Sequence, residues 1–281
     1  MSELGALEDF LALLLAALIP AILYLSWLRA TDRYDREPWG PLLNAFVYGA
    51  IVATFVAAFL EAILVAGGTE FAQSYPAPEF TFLNGGSTLG AFFLVLVIAP
   101  FVEEALKGLG VVRVRERIVA LPDGLVFGAA VGLGFGFFET FLYGLGAYAT
   151  GGLAAGIVLI AVRSVSSVLL HGSSTSMFGY GYAQHRLRGR TGTSGAYYLL
   201  AVAMHASFNA LASLGAMAAY LGASTFLSGF AAELGLVAAI VFAVAAIEHA
   251  RSVIHESQFP GAARVHPRYR PPSPPTTVRR P

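Results

Sequence analysis

Two adjacent glutamates and a lysine, Glu103, Glu104 and Lys107, stand in a stretch from Leu89 to Val112 that is otherwise apolar enough to span a bilayer. A charge in such a place costs roughly 2.5 to 3.5 kcal/mol on insertion scales, so it is kept for a reason. On a helix Glu103 lies four residues and Glu104 three residues from Lys107, so one lysine faces two carboxylates and one carboxylate is left over. In a low-dielectric site beside a like charge, that spare group suits proton transfer. Glu139, Arg163, His171 and the pair His205 and Asn209 follow, each inside another strongly apolar segment. His205 and Asn209, four apart, share a helix face on which imidazole and amide can meet one ligand atom or a developing oxyanion. Blander readings exist for each group. An ion pair between helices explains the lysine and one glutamate but not the second, Glu139 beside glycines can be a helix staple, and a lone His171 can be hydrogen-bonding glue.

The elements that must position these groups are membrane helices. Of 281 residues 57% are hydrophobic and only 12% charged, with mean hydropathy +0.69; a soluble domain carries about 25% charged residues. The apolar runs lack the period-2 alternation of a transmembrane barrel, which leaves an all-α, polytopic helix bundle. Cysteine is absent, so disulfides and thiolate metal sites are excluded. The composition gives no pointer to nucleic acid; the partners it implies are the lipid bilayer and whatever enters it.

Seven spans account for the hydropathy: 10–28, 41–66, 88–112, 122–148, 153–184, 196–218 and 226–249, with an eighth if the long fifth segment is broken or re-entrant. The first has acidic Glu3, Glu8 and Asp9 before it and reads as a retained span rather than a cleaved leader. Of the 17 basic residues, Lys107 and Arg163 are inside spans and the other 15 follow the first, third, fifth and seventh spans, with none in the remaining connections. That bias predicts an external N-terminus and a cytosolic C-terminus. One membrane domain over 1–256 is expected, with a Pro- and Arg-rich, disordered cytosolic tail over 257–281. Asp123, after Pro122, reads as a helix cap, and Glu61, Glu233 and Glu248 read as snorkelling groups near span ends. At 1.5 Å per residue from the cytosolic ends, Glu103 and His205 lie about 13 Å deep and His171 about 18 Å, but Glu139 comes out about 25 Å from the start of its segment.

Four motifs in order resemble those of PrsW-type intramembrane proteases, of the superfamily that includes CAAX prenyl proteases and bacteriocin-immunity membrane proteins. They are Glu103-Glu104-x-x-Lys107, Phe135-x-x-x-Glu139 after Asp123-Gly-Leu-Val-Phe-Gly128, the Arg163 to His171 segment, and His205-x-x-x-Asn209. The resemblance covers about residues 88–218. It implies a multi-pass protein of the cell membrane that cuts a membrane-protein substrate, an anti-sigma factor being the family's example. Thr140 departs from the pattern, which has Asn after the glutamate.

Peptide hydrolysis needs an activated water, a stabilised oxyanion and a proton for the leaving amine. Without a Gly-x-Ser-x-Gly elbow or a cysteine, direct attack by water is the economical route. Glu103 is then the general base, Glu104 and Lys107 hold it, and His205 and Asn209 face the oxyanion. Glu139 and His171 either share the water with Glu103 or, in a zinc version, join His205 as a two-His, one-carboxylate set. The absence of a His-Glu-x-x-His helix favours the metal-free version. Intramembrane Glu, His and Arg also mark proton-coupled transporters, and a non-catalytic scaffold can keep the same groove. The absence of a visible inverted repeat counts against the transporter.

Overall fold

The computed structural model describes residues 3–32 and 36–256, so the expected tail over 257–281 lies outside the described residues. They form eight helices and no strand, an all-α membrane bundle. The helices are α1 (Glu3–Thr31), α2 (Trp39–Ser74), α3 (Thr88–Arg113), α4 (Leu121–Ser164), α5 (Ser167–Arg188), α6 (Thr193–Ala212), α7 (Leu214–Tyr220) and α8 (Thr225–Glu256).

The outer helices are apolar all round and divide by contact rather than by polarity. In α1, Leu13, Ala17, Ala21, Leu25 and Leu28 recur every three or four residues and are fully buried along α4, while Leu11, Leu15, Ile19 and Leu23 stay exposed where lipid would lie. The inward row of α8 is Gly235, Ala239, Ala243 and Ile247, and its small members let the helix approach its neighbours, Gly235 lying against Leu211 and Leu214 of α6 and α7.

Five stretches of the described residues are long and apolar enough to cross a membrane, or six if α6 and α7, bent by 62° at Ser213, count as one. One stretch, Leu121–Arg188, is 68 residues long and doubles back. The reversal falls at Gly152, whose φ of +74° belongs to the left-handed region that glycine enters without a Cβ clash. Beyond it the returning arm lies so close that a Cβ on Gly156 would stand 3.0 Å from the Gly144 carbonyl. The fifth predicted segment is therefore two pieces, the end of α4 and all of α5, with the helix interrupted at Val165 and Ser166. Asp123 is the expected cap of α4: its Oδ2 accepts from the amides of Val119 at 2.8 Å and Ala120 at 2.7 Å.

The packing that matters for the site is between α4 and α5. Gly124, Gly128, Gly132 and Gly136 repeat every four residues, on one face of α4, and lie against Gly179, Thr175, His171 and Val168 of α5. A Cβ at Gly136 would reach 3.0 Å from the Val168 Cα, and at the other three it would run into the α5 backbone. The glycines at 132, 134 and 136 therefore divide, since Gly134 faces the Phe46 backbone of α2 instead.

Two helices carry π turns beside the site, Tyr48–Ala53 in α2 and Leu94–Ile98 in α3. In the second, the residue five on from Val95 is Pro100, which has no N–H to give. The Val95 carbonyl accepts instead from Asn209 Nδ2 at 2.8 Å, which ties α6 to α3.

Candidate active site

Lys107 is the hub of the polar groups. It is fully buried, and its ammonium has three protons to place. Nζ lies 2.7 Å from Glu104 Oε1, 2.8 Å from His171 Nδ1 and 3.6 Å from Glu103 Oε2, and 4.5 Å from the centre of the Phe135 ring. Glu104 is fixed by more than the lysine: Oε1 also accepts from Ser174 Oγ at 3.1 Å and from His205 Nδ1 at 3.1 Å. Glu103 is the spare carboxylate that the spacing predicts. It is only 6% exposed, and among the described residues its Oε2 makes no hydrogen bond although His205 Nδ1 stands 3.9 Å and His171 Nδ1 4.0 Å away.

A second layer holds His171 from the other side. His171 Nε2 meets Glu139 Oε2 at 3.0 Å, and that oxygen also accepts from Arg163 Nη2 at 2.7 Å. Arg163 in turn donates to Ser167 Oγ at 2.9 Å and stacks over the Tyr143 ring at 4.0 Å. The carboxylate takes the Nε2 proton of His171, which leaves the Nδ1 lone pair toward Lys107 and fixes the tautomer. The His171 and His205 rings are 4.9 Å apart and perpendicular.

All seven expected residues, Glu103, Glu104, Lys107, Glu139, His171, His205 and Asn209, thus gather at one place. Five of them, all but Glu104 and Lys107, line a cavity of about 360 Å³. Glu104 and Lys107 are not on its wall but brace Glu103 and the histidines. The depth mismatch between Glu139 and His171 disappears because α5 runs on to Arg188. His171 is then about 25 Å from the end of α5 and Glu139 about 27 Å from the start of α4, which are matching heights on antiparallel helices.

The candidate metal set differs from the expected one. Ligand atoms of Glu103, His171 and His205 all lie within 4.8 Å of one another, whereas Glu139 does not join this group. Its carboxylate is taken up by Arg163 and by the outer nitrogen of His171. Thr140, at the departure from the family pattern, is buried, and its hydroxyl has no hydrogen-bond partner among the described residues.

Two participants escaped the sequence reading. Ser174 follows His171 by three residues, one turn on, and that spacing was a usable signal. Glu61 also lines the cavity, because α2 continues to Ser74 and places it well inside the helix rather than at a span end.

Buried carboxylates and imidazoles around a cavity of about 360 Å³, inside a membrane helix bundle, are the groups that a membrane-embedded hydrolase requires. The profile of a family described as "PrsW family intramembrane metalloprotease" matches residues 37–248. Among curated proteins, the chain is 27% identical over 195 residues to Protease PrsW of Clostridioides difficile (strain 630), covering 68% of this chain and 74% of that one. It is 31% identical over 138 residues to Protease PrsW of Bacillus subtilis (strain 168), covering 48% and 55%. For Protease PrsW of Geobacillus kaustophilus (strain HTA426) the identity is 26% over 198 residues, covering 70% and 78%. No solved structure matches. The chain belongs to the PrsW family and is an intramembrane protease, a multi-pass protein of the cell membrane.

Proposed function

We propose that this protease cuts a membrane-associated protein substrate with water activated by Glu103, an anti-sigma factor being the substrate that its family suggests. The observation that carries the reading is the Glu103 carboxylate, nearly fully buried, on the cavity wall, with an oxygen that no donor has claimed. Glu103 takes one proton from water as the water oxygen bonds to the scissile carbonyl carbon. On the cavity wall, Asn209 gives the oxyanion that forms the amide hydrogen not bound to Val95, and His205, doubly protonated with Nδ1 held by Glu104, gives it the Nε2 hydrogen. The carbon–nitrogen bond then breaks, and the proton on Glu103 passes to the leaving amine. Glu104 and Lys107 position the base, and Glu139 with Arg163 positions His171.

A zinc version is the second reading, favoured by the family description and by the donor set. Two imidazoles and one carboxylate are the ligands of catalytic zinc sites, and Glu103, His171 and His205 would hold the ion. The ion supplies, when bound, a water acidic near neutral pH and a polarised substrate carbonyl. Four carboxylates, of Glu61, Glu103, Glu104 and Glu139, also face only two cations, Lys107 and Arg163. Against zinc stands Lys107, whose ammonium already occupies His171 Nδ1 at 2.8 Å. The metal-free reading is preferred on that contact. It predicts that purified protein keeps its activity after a strong chelator; stoichiometric zinc, with activity lost to the chelator and restored by zinc, would decide for the second reading.

The proposal includes seven crossings, the Leu121–Arg188 stretch supplying two, with the basic connections in the cytosol. A reporter fused after Arg280 should read cytosolic and one in the 67–87 loop external; the opposite result reverses the orientation.

A further inference from the structure

The cavity lined by His171 and His205 carries one group that the mechanism leaves idle. Glu61 is half-buried on α2, lines the cavity and makes no hydrogen bond or ion pair among the described residues. Its Oε1 is shielded from solvent and has no partner. It is no part of the Glu103, His171 and His205 group, so it is not placed to share an ion with them. The cations of the site are committed elsewhere, Lys107 to Glu104 and His171, and Arg163 to Glu139 and Ser167. A carboxylate kept in a membrane helix without a partner is unfavourable in the free protein, and a cation that arrives with the ligand relieves it.

The surroundings of Glu61 indicate from where that cation comes. The α2 residues around it, Phe59, Leu60, Ile63 and Leu64, are exposed and apolar. They form a surface for lipid and for a substrate segment within the bilayer. A lysine or arginine in such a segment is itself costly there, so pairing removes two penalties together. We propose that Glu61 is the specificity residue of this protease, accepting a basic side chain of the substrate beside the scissile bond. The inference rests on the reading of the cavity as the substrate site.

Binding separates this claim from the catalytic one. The probes are two fluorescein-labelled twelve-residue apolar peptides in detergent micelles, identical except for a central lysine or norleucine. The proteins are the full chain carrying Glu103→Gln, so that no cleavage intervenes, and the same chain carrying Glu61→Gln as well. The first should bind the lysine peptide at least about tenfold more tightly than its norleucine twin, and the second should bring that ratio close to one. A Glu61→Lys version should reverse the preference toward a glutamate peptide, which shows that charge and not folding is responsible. A ratio near one in the Glu103→Gln protein, failure of both twins to bind, or a ratio that Glu61→Gln leaves in place, overturns the proposal. If the ratio behaves as expected while Glu103→Gln still cleaves, it is the mechanism that fails and not the role of Glu61.

Discussion

The α4–α5 pair and the second half of α2 face the same cavity but are built in opposite ways. Between α4 and α5, a glycine at every fourth position brings one backbone against the other, and His171 sits in that seam with its own backbone against Gly132. From Thr54 to Ser74, only Thr54 and Ala57 are buried, and Phe55, Phe59 and Ile63 point outward. Glu139 and His171, which brace the site from behind through Arg163 and Lys107, are on the first kind of wall, and the group left for a ligand, Glu61, is on the second. Precise placement needs a close-packed support, while a substrate that arrives sideways through lipid needs a wall with few ties.

If this contrast is right, adding volume to the rigid seam does the most damage. Gly132→Leu should destabilise the protein by about 3 kcal/mol or more and remove activity with it, because the new side chain drives into the His171 backbone. Thermal unfolding in detergent measures the first effect and cleavage the second; a folded, active variant would show that the seam is not close-packed. Next in size, His205→Ala should cost about 2.7 to 4 kcal/mol of transition-state stabilisation, in addition to about 1 to 3 kcal/mol of stability lost with its buried hydrogen bond to Glu104. A change below twofold in cleavage would remove His205 from the oxyanion. On the loose wall, Ile63→Ala should alter stability by no more than about 0.5 kcal/mol, as for an ordinary surface position. A loss comparable to that of Gly132→Leu would erase the distinction.

Much of this site was legible in the sequence because the membrane makes polar groups conspicuous. Glu103, Glu104 and Lys107, Glu139, His171, His205 and Asn209 stood out because each interrupts an apolar run, and helical spacing alone indicated that one glutamate of the pair is spare. Which one was not legible. That depends on Ser174 and His205, which come from α5 and α6 and claim Glu104. Sequence also placed Glu139 rather than Glu103 with the two histidines, since only the fold reveals that Arg163, 24 residues further on, takes the Glu139 carboxylate. The break between α4 and α5 was foreseen as an excess of length but not located, because Val165 and Ser166 carry no breaker signal. Glu61 was misread for one reason: hydropathy ends the second span near residue 66, whereas the helix continues through more polar sequence to Ser74.

The central claim is that Glu103 is the group that moves the proton, and a single substitution addresses it. Glu103→Gln keeps size and hydrogen-bonding capacity but cannot take a proton. In proteoliposomes with a membrane-protein substrate it should lose activity by a factor on the order of 10² or more, with its unfolding temperature unchanged. Cleavage near the wild-type rate by that folded variant would contradict the account.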